Sequence, residues 1–408
     1  MRILIQGLNY APELVGIGKY TGEMVDFLVQ RGHEVIVVTT PPYYPMWKVA
    51  DGYLAGRYVK SEQENLIVIR CPLWVPKKIT GSRRILHLLS YAISAFPVMV
   101  RQSLRKPDVV LTIAPAITSA LNAIIAGWLS GAKTWLHIQD FELDAAMNLG
   151  VVNASGFVAR FAKAVERFVL KRFDRVSSIS NAMVAKLSEK GVQKTQLAFF
   201  PNWINTEKIF PINDSPMRGE LGYSSEDVVV LYSGSMGEKQ GLEVLVESAR
   251  QLSHYPALKF LLCGEGSAKE RLQQAAAGMG NIQFLPEQPY EKLNELLNCA
   301  DIQVLPQRKG ASDLMMPSKL LGMMSSGKAI IAGCVPGSEL FQVVSQIGLG
   351  VVPEDAGALA SAILKFSDNP VLRKAAGMKA RNFVCTQYGE KQVLQAFEKQ
   401  LLELSGIT

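Results

Sequence analysis

A chain of 408 residues, 48% hydrophobic and 19% charged, carries apolar material for two cores, and two domains are expected at roughly 100–200 residues each. Its five cysteines (Cys71, Cys263, Cys299, Cys334, Cys385) are scattered with no CxxC pair, which argues against a zinc site or a disulfide framework and fits reduced thiols in a cytoplasmic protein. The formal net charge of +7 suits anionic partners, and no nucleic-acid motif is present.

MRILIQG opens directly on a strand, Arg2 to Gln6, so no signal peptide is expected. The loop PELVGIGKY lacks the GxGxxG spacing of a dinucleotide site. It still offers glycine backbone, Gly16 and Gly18, to a ligand at the start of a helix over Tyr20–Arg31. After a strand at Glu34–Thr39 comes PPYYP, read as a stiff, exposed aromatic loop in which Tyr43 and Tyr44 either touch an acceptor or simply form a turn. From Arg70 to Lys106 there are eight basic residues and no acid. Lys77, Lys78, Arg83 and Arg84 border an apolar helix from Ile85 to Val100, broken near Pro97, with Leu88, Leu89, Tyr91, Ile93 and Phe96. That pattern fits either a core helix with solvated flanks or a surface that docks on anionic lipid headgroups.

Val109 to Lys133 is long and nearly uncharged, but Pro115 and the polar Thr118, Ser119 and Asn122 divide it into a strand and a buried helix rather than a membrane span. The next strand, Lys133–Ile138, ends in HIQDFELD. His137, Asp140, Glu142 and Asp144 therefore gather at or past the carboxyl end of a strand, where binding and catalytic groups concentrate. A strand at Asp174–Ile179 follows, with Ser180 and Asn181 at the start of the next helix. FFPNWINTEKIFPINDSP then loses periodicity and reads as an interdomain linker.

The alternation restarts in the second half. A strand at Val228–Tyr232 turns through GSMGEKQG, whose Gly234, Gly237 and Gly241 let amides approach an anion and whose Lys239 adds charge. No Walker GKS or GKT is present, so a P-loop NTPase is not indicated. Strands at Lys259–Cys263, Ile282–Leu285, Ile302–Leu305 and Ala329–Ala332 complete a second sheet, and a closing helix covers Glu390–Leu404. Between the last two of those strands, Pro317 and Ser318 open a helix that stops at Gly327, with Lys319 in its first turn. A lysine beside the positive end of a helix is unfavourable unless an anion joins them, so a phosphate is the natural third partner; a solvated lysine is the plain alternative.

Taken as a set, the glycine loop with Lys239, GEG after the following strand, MPSKL, PNWIN and the GIGKYTGEM helix before GHEV resemble family 4 glycosyltransferases over nearly the whole chain. The resemblance implies an α/β GT-B fold with two Rossmann-like domains facing each other across a cleft. It implies an acceptor-binding domain over 1–200, a linker over 201–216, a nucleotide-sugar-binding domain over 217–388, and a final helix over 389–408 packing back on the first. It also implies retention of anomeric configuration and no cofactor or metal. Its exopolysaccharide (colanic acid) branch implies L-fucose transferred from GDP-fucose to a polyprenyl-diphosphate-linked saccharide at the inner face of the cell membrane.

Carried over by residue, the implied donor contacts are Gly234, Ser235, Gly237, Lys239, Gly264, Glu265, Pro317, Ser318, Lys319 and Leu320. Lys239 and Lys319 act on the diphosphate. His137 or Asp140 lies near the reacting sugar, and Gly16, Gly18, Tyr43, Tyr44 and Glu142 face the acceptor. The family's two glutamates, eight positions apart, fall on Leu314 and Gly322, which leaves Asp313 as a partial substitute. Two other readings stay open: a nucleotide-sugar 2-epimerase of the same fold, and a non-catalytic scaffold.

Overall fold

The computed structural model describes residues 1–114, 117–141, 143–144, 156–310 and 316–407. They divide into two compact units, Met1–Pro201 with Leu394–Thr408, and Asn202–Val393.

The first unit runs β1 (Arg2–Gly7), α1 (Gly16–Gln30), β2 (Glu34–Thr39), β3 (Val59–Gln63), β4 (Leu66–Arg70), α2 (Gly81–Ser103), β5 (Val109–Ala114), α3 (Ile117–Ser130), β6 (Lys133–Ile138), α4 (Phe157–Leu170), β7 (Arg175–Ser178), α5 (Asn181–Glu189) and β8 (Leu197–Phe199). Its sheet has the order β3-β4-β2-β1-β5-β6-β7-β8. Only β3 is antiparallel to its neighbour. Central strands such as β1 and β5 are buried on both faces, which is why they read as continuous apolar runs. β3, VKSEQ, is exposed at every position and carries no such signal. β4, β5, β6, β7 and β8 step the same way across the sheet. Right-handed crossovers therefore place α2, α3, α4 and α5 on one face, and α1, whose connection steps the other way, on the opposite one.

Two expectations for α2 are corrected. The helix continues through Pro97, whose ring is exposed, and at 23 residues is about 34 Å long. Its apolar residues also divide. Leu88 and Tyr91 are buried, with the Tyr91 hydroxyl donating to Val38 O at 2.8 Å, whereas Ile85, Leu86, Leu89, Ile93 and Phe96 are exposed. Arg70 leaves the proposed basic border as well, because its guanidinium is half-buried and donates to Thr40 O (2.8 Å) and Ala11 O (2.6 Å).

The second unit contains α6 (Pro216–Glu220), β9 (Val228–Ser233), α7 (Glu243–Gln251), β10 (Leu258–Cys263), α8 (Lys269–Ala275), β11 (Ile282–Leu285), α9 (Leu293–Asn298), β12 (Ile302–Leu305), α10 (Ser318–Ser325), β13 (Ala329–Gly333), α11 (Glu339–Ile347), β14 (Leu349–Val351), α12 (Ala356–Ser367) and α13 (Pro370–Gln387). Its parallel sheet has the order β11-β10-β9-β12-β13-β14. The stretch read as a linker lies along this unit: Asn294 and Asn298 accept from the amides of Phe210 and Ile212, and Arg381 donates to the carbonyls of Thr206 and Ile209.

α14 (Glu390–Ser405) begins in the second unit and belongs to the first from Leu394 onward. There the Phe397 ring stacks on Phe200 (4.1 Å between centroids) and meets Trp135 edge-on at 5.1 Å. Glu398 accepts from Arg31 and pairs with His33 at 2.9 Å. Phe397 is 1% exposed, so Phe397→Ala should cost about 3–5 kcal/mol and release the end of α14. Urea unfolding, followed by limited proteolysis beyond Val393, checks both.

Candidate active site

Strand order in the second sheet reverses between β9 and β12, and ligands of open α/β sheets bind beyond the carboxyl ends of the strands at such a switch. The turn after β9 is pressed against the turn after β10. The Gly234 amide donates to Cys263 O (2.9 Å), Met236 to Glu265 O (2.7 Å) and Ala268 to Met236 O (2.9 Å). A Cβ at Gly264 would lie 2.0 Å from Gly234 O, and one at Gly266 2.5 Å from the Met236 carbonyl. GEG is thus glycine-rich because two backbones touch, with φ of +151° at Gly264 and +153° at Gly266.

Lys319 arrives from the other side of the switch. Its ammonium donates to the Tyr232 hydroxyl at 2.9 Å, and that hydroxyl donates to Ser235 O at 2.5 Å. A Cβ at Gly234 would meet Lys319 Nζ at 2.7 Å, so the amine rests directly on the glycine turn. Among the described residues no carboxylate pairs with it, and burial lowers its pKa from 10.5 to about 8. α10 has Pro317 as its N-cap and no side-chain cap; Ser318 is exposed. The first-turn amides are left for another acceptor.

Lys239 is exposed on a 3-10 turn, Glu238–Gln240. That turn is held by residues the sequence did not single out. Arg308 donates to Glu238 O and pairs with Glu243 at 3.1 Å, and Arg271 pairs with Glu238 at 2.9 Å. Glu265 pairs with Lys269 at 2.6 Å. Gly237 and Leu320 lie in the same turn and helix, Leu320 fully buried. Asp313 and Leu314 lie outside the described residues.

In the first unit the hub is a residue that sequence reasoning passed over. Glu13 is 6% exposed; its carboxylate accepts from the amides of Tyr43 and Tyr44 (3.0 Å each) and from Asn9 Nδ2 (2.9 Å). A Cβ at Gly18 would lie 2.5 Å from that carboxylate, and one at Gly16 would meet the Tyr44 ring at 3.6 Å. Gly16, Gly18 and Tyr44 are therefore neighbours. Tyr43 corrects the expectation of an exposed loop: it is 5% exposed, edge-on to Trp47 and His87.

His137 is also corrected. It lies within β6, opposite Ile113 and Ser177, and is 3% exposed. Gln139 Nε2 donates to its Nε2 (3.0 Å), and its Nδ1 proton goes to Ser177 Oγ (2.9 Å). Burial lowers its pKa to about 3, so this is a neutral core histidine with both nitrogens engaged rather than an acid or base. Asp144 is held by Lys186 (2.8 Å) and Lys190 (3.2 Å). Asp140, half-buried just beyond β6, is the remaining acid of that group; Glu142 lies outside the described residues.

A model described as a glycosyl transferase 4-like domain matches residues 15–203, and one described as glycosyl transferases group 1 matches 227–369. The chain is 40% identical, over 96% of both chains, to a protein of Escherichia coli (strain K12) with the provisional name colanic acid biosynthesis glycosyl transferase WcaI. It belongs to the family 4 glycosyltransferases. Sucrose-phosphate synthase from Thermosynechococcus elongatus shares the fold at a TM-score of 0.74, with 18% identity and full coverage of both chains. HepE from Anabaena, solved in complex with UDP, matches at 0.66 with 13% identity, covering 99% of this chain and 100% of that one. The fold is GT-B.

In this glycosyltransferase Gly322 is a buried position of α10 where, among the described residues, an added Cβ would meet only Leu297, at 3.4 Å. A methyl fits there, and Gly322→Ala should raise stability by about 0.5–1 kcal/mol through helix propensity. Gly264→Ala should instead cost about 2 kcal/mol or more, because neither backbone can yield to a contact of 2.0 Å. Thermal and denaturant unfolding of the two variants will show opposite signs.

Proposed function

We propose that the protein transfers a sugar, with retention, from a nucleotide-sugar to a lipid-linked saccharide during exopolysaccharide assembly of the colanic acid type, with GDP-fucose as donor. The observation that carries the reading is the Lys319 ammonium, set on the Gly234 turn with no carboxylate partner among the described residues and beside first-turn amides with no side-chain cap. A diphosphate is the ligand that this arrangement lacks. The name of the Escherichia coli relative supports the pathway, and the UDP complex of HepE supports a nucleotide ligand.

Retention follows from attack on the face that the leaving group departs from, where a donor phosphate oxygen takes the acceptor proton. No protein nucleophile or metal is then required. The protein positions the two substrates and stabilises charge on the departing diphosphate, with Lys319 and Lys239 as the cations and Asp140 near the reacting sugar. The acceptor sits by Gly16, Gly18 and Tyr44, and the exposed Lys77, Lys78, Arg83 and Arg84 face anionic lipid headgroups at the cytoplasmic membrane surface.

Lys319→Ala should lower turnover about 100- to 1000-fold with a smaller change in donor affinity, and EDTA should leave the wild-type rate unchanged. Near-wild-type turnover in the variant would sink the reading. Epimerised donor formed without acceptor would replace it with the epimerase.

The lysine also sets a proton signature. The free amine titrates near 8, and a bound diphosphate favours its charged form. Nucleoside diphosphate binding should therefore take up a proton above about pH 8 and cease to do so about one unit lower, where the amine is already charged. Calorimetry in buffers of different ionisation enthalpy measures this uptake, which Lys319→Met should abolish.

Replacing Lys77, Lys78, Arg83 and Arg84 together by glutamate should release the protein from anionic vesicles, at roughly 1 kcal/mol per basic residue. Unchanged co-sedimentation would refute that contact.

A further inference from the structure

The lipid contact above uses one end of α2, but the helical layer that α2 belongs to extends further. α3 packs along α2, where the Asn122 carboxamide donates to Ala92 O at 2.8 Å, and α4 lies against α3 on the same face of the sheet. The outward side of α3 carries Leu121, Ile125, Trp128 and Leu129, at 44%, 37%, 81% and 44% exposure. Their spacing of four, three and one makes a single stripe. α4 adds Phe161 and Phe168, two turns apart, at 63% and 54%. With the exposed Leu89, Ile93 and Phe96 of α2, three adjacent helices present large apolar groups to water, well beyond the scatter of single residues normal on a surface.

Charge decides what covers them. α2 and α3 contain no acidic residue, and Glu166, the one acid of α4, is buried and paired with Lys190 at 2.6 Å. Arg160, Arg167, Lys171 and Arg172 are exposed around the two phenylalanines, and the Arg172 guanidinium lies 4.4 Å from the Phe168 ring centre. A second copy of the chain in this position would set cations against cations. An anionic bilayer accepts both the apolar stripe and its cationic margin. No described helix is long and apolar enough to cross a membrane, so the contact is one of lying on the surface.

We propose that the outer face of α3 and α4, continuous with α2, is the surface on which the protein rests against an anionic membrane, with Trp128 inserted at headgroup depth. Its purpose rests on the lipid-linked acceptor proposed above, while its evidence does not. The test is the double substitution Ile125→Ser and Trp128→Ser in the full chain, which leaves Lys77, Lys78, Arg83, Arg84 and the lysines of the candidate active site in place. Binding to vesicles of mixed anionic and zwitterionic phospholipid should weaken about tenfold or more, and the tryptophan quenching caused by brominated acyl chains should shrink. The melting temperature should stay at the wild-type value, since both side chains already face water. Equal binding and equal quenching in wild type and variant would overturn the proposal, as would a wild-type dimer in sedimentation velocity that the substitution dissolves. If the wild type binds and is quenched as expected but transfers no sugar to a lipid-linked acceptor, the acceptor assignment fails and the surface stands.

Discussion

The second unit is organised by the contact of two backbones. The turns after β9 and β10 touch with no room for a Cβ at Gly264 or Gly266, and a Cβ at Gly234 would run into Lys319. Lys319 lies against Gly234, and the Tyr232 hydroxyl at the end of β9 accepts a hydrogen bond from its ammonium. Everything chemical about the crevice follows from that exclusion. The amine is buried against the glycine turn and the Tyr232 hydroxyl, and no carboxylate among the described residues pairs with it. An ammonium so placed is poorly solvated until an anion arrives.

The first unit solves the corresponding problem with the opposite charge. Glu13 is a buried carboxylate that three N–H donors satisfy, and through them it ties the loop after β1 to the loop after β2. Arg70 holds the same two loops from below through carbonyls on each. Hydrogen bonds to a buried carboxylate are strong and costly to leave unmade, so these loops are stiff for a structural reason whether or not a ligand is bound.

Strands buried on both faces were legible as apolar runs, and the helix opening near Pro317 was legible from its proline, its glycine stop and its lysine. β3 was not, since VKSEQ has neither alternation nor burial. Pro97 misled because the missing N–H and the crowding of the carbonyl four residues back are local penalties, and the 23-residue helix α2 continues through them. Tyr43 and His137 misled for a shared reason: polar side chains beside strand ends look functional until their partners are known, and those partners (Trp47 and His87 for one, Ser177 and Gln139 for the other) follow only from tertiary packing. Tyr232, Arg308 and Glu13 went unnoticed on the same account. The glycines of GEG were recognised as special, but their demand comes from a neighbouring backbone.

α14 carries a consequence for how the chain is made. Phe397 and Glu398 complete the core around Trp135, Phe200 and His33, yet the whole of Asn202–Val393 is synthesised before them. The first unit therefore leaves the ribosome with a gap in its hydrophobic interior, and it waits in that unfinished form while the second unit is translated. Its final closure is an event of late synthesis, so a factor that shields nascent apolar surface has its longest window of action on the half of the protein that was made first.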